Sequence, residues 1–522
     1  MNPLARAVLR IRASTAAALT RVARAVRGDH AATGGRRVRQ FAGARTDRLT
    51  ADLFSGRTSG AGDQRFALTK LRNRSRTLVR DTPEAKRYCA LFEENVVGHA
   101  GILLKPAALL RDGSGNPDTA LNDAVLEAWE RWGEAAHCSL DGTLGWVDLQ
   151  QLVQRLEPMD GEYLVLLHRG RGAFGLQLQV LDPDQLDETL NVESWGASGG
   201  PWIRQGVEMD PATGRPVAYH IWDGHPSDTN RGARKRIPAD RVIHGFDPWR
   251  PGATRGVPWL HAAIQSINMI SGYDEATLVA ARIAASAMGT IEGTADGDPG
   301  EEADAAAAND TPQEFEPGRW WKLAPGEKAT MLDPKHPTTS YADFRKAHVR
   351  AIAQSGGVSY TSLSGDLEAV NYSSIRAGLL SERDRYRMLQ GRLIRALHTR
   401  VYRAWLPMAQ LTGALRISAQ DVARAERVRW QPRGFPWVDP RADIEALRAE
   451  IRLGINSRTE AAAERGRDLE KVLEQIDAEE RLAQSYGVDV SGVDLPPQVA
   501  DPAETKPAKS TTTPPERGLR IS

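Results

Sequence analysis

Ser373–Leu406 reads SSIRAGLLSERDRYRMLQGRLIRALHTRVYRAWL. Ile375, Leu379, Tyr386, Leu389, Leu393, Leu397, Val401 and Trp405 fall on one apolar stripe if the run is α-helical. Only Gly378 and Gly391 weaken it from within. The spacing predicts the longest helix of the chain. An ordinary globular helix has about 10–14 residues, so the remaining elements have to be arranged around an unusually long rod.

Other helical runs precede it. LRNRSRTLVRDTPEAKRYCALFEENVVG reads as one helix, with Leu71, Leu78, Tyr88, Leu91 and Phe92 roughly on one face. NDAVLEAWERWGEAA is a second, with Asn122 placed as its cap, and LGWVDLQQLVQRLEPM is a third. The pattern then switches to period two: GEYLVLLHRGRGAFGLQLQVLDP reads as a hairpin, and RPVAYHIW and DRVIHGF as strands. From Pro258 a helix resumes (PWLHAAIQSINMISGYDEATLVAARIAASAMG), about 45 Å long at 1.5 Å per residue. GRWWKLAPGEKATML suggests one or two strands, and TSYADFRKAHVRAIAQSGG another helix. DPRADIEALRAEIRLG and DLEKVLEQIDAEERLAQSYG form a terminal helical pair. The fold class is α+β.

Catalytic motifs fail on context. GRGAFG (Gly170–Gly175) matches GxGxxG, but a strand follows where a dinucleotide fold needs a helix, so the glycines belong to a hairpin turn. GASGG (Gly196–Gly200) matches GxSxG, yet it sits in a Gly/Trp/Pro loop and not at a strand-to-helix elbow. There is no Gly-Lys pair and hence no phosphate-binding P-loop. The histidines are dispersed without HExxH or CxxC, and DGDPGEEAD lacks the ligand spacing of an EF-hand. No catalytic residue, metal site or cofactor is expected. Cys89 and Cys138 make no disulfide framework, which points to a reducing compartment.

Charge is balanced overall at +1 but unevenly distributed. Basic residues from Arg6 to Arg80 face only Asp29, Asp47, Asp52 and Asp63, while the segment near 296–316 and the C-terminal third are acid-rich. The arginine- and alanine-rich N-terminus has some transit-peptide character but fits a basic arm better, and it has no signal-peptide h-region. No apolar run is long enough for a membrane span; the best, TLVAARIAASAMGTI, contains Arg282. One polar stretch stands out: GVSYTSLSGDLEAVNYSS (Gly357–Ser374), which interrupts two helices without supplying a catalytic set.

Taken in order, these segments resemble the lambda-type family of tailed-phage portal proteins, from about residue 68 to 482. The resemblance is carried by LRNRSRTLVRDTPEA, DGEYLVLL, LDPDQLDETLN, GRPVAYHIW, IPADRVIHGFDPWRPGATRGVPWL, LAPGEKATMLDPKHPTTSYADF, EAVNYSSIRAG and WVDPRADIEALRAEIRLGINSRTEAAAERGRDLEKVLEQIDAEE. Ala253 and Ile375 depart from the family pattern, which expects Gln and a small residue there.

The resemblance implies a ring of about twelve subunits at one capsid vertex of the virion, assembled in the bacterial cytoplasm. Double-stranded DNA would pass through it during packaging and ejection. The implied partners are the large terminase, the major capsid protein or scaffold, and a head-completion or adaptor protein. The implied division is a partly disordered basic arm (1–65), an α+β wing (66–257), a first stem helix (258–288), a clip (289–338), a second stem helix (339–356), a tunnel loop (357–374), a long wing helix with the segment after it (375–435), a helical crown (436–490) and a disordered tail (491–522). Tunnel-loop residues expected to touch DNA are Ser362, Ser364, Asp366, Glu368 and Asn371; clip residues expected to dock terminase or adaptor are Asp298, Glu301, Glu302 and Asp304. Hydroxyls and amides would give weak, sequence-blind phosphate contacts and carboxylates would repel, so DNA would slide without sticking. Two other classes compete: a capsid or adaptor protein without a channel, and a DNA-packaging enzyme.

Overall fold

A computed structural model describes residues 58–193, 202–285, 289–293, 327–331, 341–368, 372–436 and 440–486. It opens with α1 (Gly60–Arg65), at the end of the segment expected to be an arm, and continues into α2 (Leu68–Asp81) and α3 (Pro83–Phe92). Periodicity predicts a single helix across α2 and α3. The break falls at Thr82, whose extended backbone (φ −121°, ψ 136°) is the conformation that a following proline imposes. A π turn (Glu93–Val97), β1 (Leu103–Pro106) and α4 (Thr119–Trp132) follow. The cap of α4 is Asp118, not Asn122: Asp118 Oδ1 accepts from Leu121 N at 3.2 Å, whereas Asn122 bonds both backbone groups of Ala108.

Next come α5 (Trp146–Asp160) and the strands β2 (Glu162–Arg169), β3 (Leu176–Leu181), β4 (Trp202–Arg204), β5 (Val207–Met209), β6 (Pro216–Trp222), β7 (Arg234–Pro238) and β8 (Val242–Phe246). Then follow α6 (Ile264–Ala285), β9 (Gly289–Gly293), β10 (Glu327–Met331), α7 (Tyr341–Gly356) and a short α8 (Tyr360–Ser364). The long run becomes α9 (Tyr372–Leu393), a π turn (Ile394–His398) and α10 (Thr399–Leu411). The last elements are α11 (Ala419–Ala425), β11 (Val428–Gln431), α12 (Pro440–Arg452), α13 (Arg458–Ala463) and α14 (Leu469–Ser485).

Among the described residues, the named strands pair antiparallel. One sheet has the order β3-β2-β8 and a second β4-β5-β6-β7, while β1 pairs with β11 and β9 with β10. A small core of Leu164, Leu181, Val207, Tyr219, Ile221 and Val242 joins the two larger sheets. The main core runs from α2 to α11 and centres on aromatic rings: Trp129 lies 4.7 Å from Trp132 and 5.1 Å from Trp405, both in edge or tilted contact. Tyr386, Leu389, Leu393, Leu397, Val401 and Trp405, the stripe read from the sequence, are all buried in it. No helix of the described residues is long and apolar enough to cross a membrane.

Gly161 and Gly256 mark the tightest backbone approach. Gly161 ends α5 at φ +88°, and a Cβ there would stand 2.2 Å from the Val257 carbonyl carbon; a Cβ on Gly256 would meet the Gly161 oxygen at 2.0 Å. Only glycine fits both sides of this contact. It presses the segment entering α6 against the start of β2.

Candidate nucleic-acid interface

The segment between α7 and α9 is built on a turn and not on a free loop. Tyr88 OH donates to the Gly356 carbonyl at 3.0 Å, and Gly357 turns the chain at φ +65° beneath Arg385. Arg385 in turn lies 5.4 Å from the Phe92 ring centroid and 5.9 Å from that of Trp259. Ser359 then caps α8, its Oγ accepting from Ser362 N at 3.1 Å. The hub is Glu382 on α9, 5% exposed: it accepts from Ser359 N (3.1 Å), Ser362 Oγ (2.8 Å) and Tyr386 OH (3.2 Å). Leu363 plugs the core below. Burial, with Glu382 adding to it, pushes the Tyr386 phenol well above its ordinary value.

The residues singled out from the sequence therefore have distinct fates. Ser362 is bound to Glu382 and half-buried. Ser364 is exposed, but its hydroxyl donates to the Tyr360 carbonyl at 2.7 Å. Asp366 accepts from Tyr360 OH at 2.8 Å and lies 3.5 Å from Lys346 of α7; Glu368 pairs with the same lysine at 3.0 Å. The Glu368 backbone N–H, then Tyr360 and Lys346, hold the Asp366 carboxyl below its ordinary value. Leu367 between them is exposed. Asn371, and the clip residues Asp298, Glu301, Glu302 and Asp304, lie outside the described residues. The sequence gives no hint of Glu382 or Lys346 as partners, because both sit on neighbouring helices.

Two charge networks fix the frame around this segment. Arg345 of α7 reaches Glu84 of α3 at 2.5 Å and Asp274 of α6 at 3.0 Å, and Tyr341 OH donates to Asp274 at 2.7 Å. Deeper, the fully buried Glu162 accepts from Arg255 Nη2 (2.5 Å), Arg72 Nη2 (2.8 Å) and Gly256 N (2.8 Å), and bonds His244 Nε2 at 2.9 Å. Burial alone would raise the Glu162 carboxyl; Arg255, the His244 hydrogen bond and Arg72 outweigh it and hold the group well below its ordinary value. Arg72 also reaches Asp184, and Arg76 binds Asp160, Asp182 and Asp184.

Asp182, Asp184 and His225 are close enough to share a cation, the one such set among the described residues. Arg76 donates to both carboxylates, so a metal there would have to displace a guanidinium. Among the described residues, charges link elements to one another and do not converge on a point where a reacting atom could sit.

Among the described residues, the buried ions hold helices and sheets to one another, which is an architectural role. More particularly, the chain belongs to the lambda family of phage portal proteins: residues 46–390 match that family. It is 35% identical over 462 residues to the probable portal protein of Halomonas phage phiHAP-1, covering 86% of this chain and 88% of the relative. It is 22% identical over 443 residues to portal protein B of Escherichia phage lambda, covering 77% of this chain and 81% of the relative. Among solved structures, a chain from the neck of an empty gene transfer agent particle aligns with a TM-score of 0.45 at 16% identity, over 80% of this chain and 98% of that one.

Proposed function

We propose that this portal protein works as one subunit of a closed ring of about twelve, through which double-stranded DNA enters and leaves the head. The observation that supports it best is the surface of α6. Ile264, Ile267 and Ile270 are buried at its base, but Met269 and Leu278 are 65% and 64% exposed, and Tyr273 and Val279 are exposed as well. A helix with apolar residues on several faces needs covering on several faces. Within the subunit α7 is its partner through Asp274; equivalent helix pairs of adjacent subunits would cover the rest, which is the arrangement of a channel wall.

In this reading α6 and α7 are the stem, 289–338 is the clip, the body with α9 and α10 is the wing, and 436–490 is the crown. The ring sits at a capsid vertex of the virion, after assembly in the host cytoplasm. The clip docks the large terminase and later a head-completion or adaptor protein, with Asp298, Glu301, Glu302 and Asp304 as its acidic contacts, and the outer surface meets major capsid protein or scaffold. The 357–374 segment faces DNA. With Ser362 and Ser364 engaged internally, its DNA-facing chemistry comes from apolar Leu367, the repelling carboxylate of Glu368 and the weakly binding amide of Asn371. Deleting Leu363–Val370 tests that role: rings should still form but package DNA poorly. Normal packaging by such rings would remove the segment from the channel.

A further inference from the structure

The ribbon of β1 and β11 packs Leu104 and Trp430 into the main core, and its opposite face is basic. On that face Lys105 and Arg429 stand directly across from each other in the ladder, a placement in which like charges destabilise an antiparallel pair. Ala107 N donates to the Arg427 carbonyl at 2.9 Å and extends the ladder by one pair, so Arg427, two residues before Arg429, falls on the same face. All three line a cavity of about 360 Å3 between the ribbon and the turn from α13 into α14, and Arg467 of that turn lines it as well.

The carboxylates of the wall do not balance these cations. Asp468 and Glu470 are the two that line the cavity. One oxygen of Asp468 accepts from Lys105 Nζ at 2.6 Å and the other from Glu470 N at 3.2 Å, so this side chain is spent on Lys105 and on capping α14. Arg427, Arg429 and Arg467 are exposed, and among the described residues no ion pair, side-chain hydrogen bond or ring contact holds any of them. Four cations against two carboxylates leave an excess of two positive charges. The start of α14 at Leu469 adds the positive end of its dipole.

A second, independent observation lies at the floor. Gln431, on the same face of β11, is 8% exposed and lines the cavity, and its Nε2 has no hydrogen-bond partner. A buried amide without a partner is costly, and beside a cationic wall the acceptor it calls for is an anion. A phosphate carries about −1.5 to −2 at neutral pH, which matches the excess; a single carboxylate does not. Forked guanidiniums also fit phosphate oxygens two at a time.

We propose that this cavity binds a phosphate group, with Arg429 as its principal ligand and Arg427 and Arg467 closing on it from the ribbon and from the turn before α14. The group is either a backbone phosphate of nucleic acid or a free phosphate ion, and the site does not depend on the channel reading.

The test uses the full chain, its Arg429→Gln and Arg467→Gln variants, and Arg171→Gln in the exposed β2–β3 turn as a charge-matched control. Inorganic phosphate is titrated calorimetrically against chloride at equal ionic strength, and a short DNA duplex by fluorescence anisotropy. Each cavity variant should bind about tenfold more weakly or worse, the loss expected for one charge-assisted hydrogen-bonding group, while the control binds as the wild type does. Arg429→Lys, which keeps the charge but not the fork, should lie between. A loss of duplex affinity, with or without that for inorganic phosphate, assigns the site to nucleic acid; a loss for inorganic phosphate alone assigns it to the free ion. Should one variant fail to fold, the other, changed on the opposite wall, gives the same reading. Binding of both probes that is equal in wild type and cavity variants, or absent from the wild type, overturns the site.

Discussion

Arg255 Nη2 lies 2.5 Å from Glu162 Oε1, and neither side chain has any surface open to solvent. This contact ties the segment that enters α6 to the first residue of β2, and the glycine pair Gly161 and Gly256 brings the two backbones close enough to make it. A buried carboxylate flanked by Arg255, Arg72 and His244 works as a rivet: it specifies where α6 leaves the body.

Removing the charge at the centre should be costly. Glu162→Gln leaves the buried Arg255 with backbone carbonyls alone and Arg72 with only Asp184, and should lose about 3–5 kcal/mol of stability, the range for breaking a buried ion pair. Urea unfolding followed by circular dichroism measures it. A loss under about 1 kcal/mol, the size of an exposed pair, would show that the network does not hold the frame.

His398 sets an acid limit. It is fully buried in the second π turn, its ring 5.2 Å from Trp146 and 5.1 Å from Trp430, and burial pulls its imidazole down to about 4. A histidine unfolds to an ordinary value near 6.5, so the unfolded state takes up the proton first. The stability that the neutral ring permits is complete above about 6.5 and is lost as pH falls toward 4. A Tm-versus-pH series should therefore fall less steeply across that window for His398→Gln than for wild type; parallel curves would contradict the assignment.

Gly357→Ala should destabilise the turn beneath Arg385. The left-handed backbone costs an alanine about 1–2 kcal/mol, and the new methyl would stand 1.5 Å from Arg385 Nη1, forcing that side chain away from Phe92 and Trp259. A lower Tm with faster proteolysis between 357 and 368 is the expected result.

The pair Met269→Glu and Leu278→Glu should leave the subunit folded, because both side chains are already exposed, while abolishing higher assembly. Unchanged circular dichroism with a smaller particle by size-exclusion chromatography is the outcome that fits.

The long helix was legible because its apolar stripe is sustained over many turns, and the β2–β3 hairpin because alternation and glycines coincide. The pairing of β1 with β11 was not: Leu103 meets Gln431 across more than half of the chain, with no local signal at either end. Strands β4 and β5, of three residues each, are too short for periodicity to register. Asn122 looked like a cap since it precedes the apolar run, but the helix reaches back to Asp118. In the candidate interface the sequence pattern alone lets the polar residues face outward. Their partners Glu382 and Lys346 come from the flanking helices, so the sequence showed hydroxyls and carboxylates without showing that these were already engaged.

A closed ring has a fixed mass and rotational symmetry, both read on the purified protein by light scattering joined to electron microscopy of single particles. Particles of about twelve times the 57.1 kDa chain, with cyclic symmetry and a central hole, are expected. A closed dimer, or a shell or filament without a rotational axis, would contradict the closed ring.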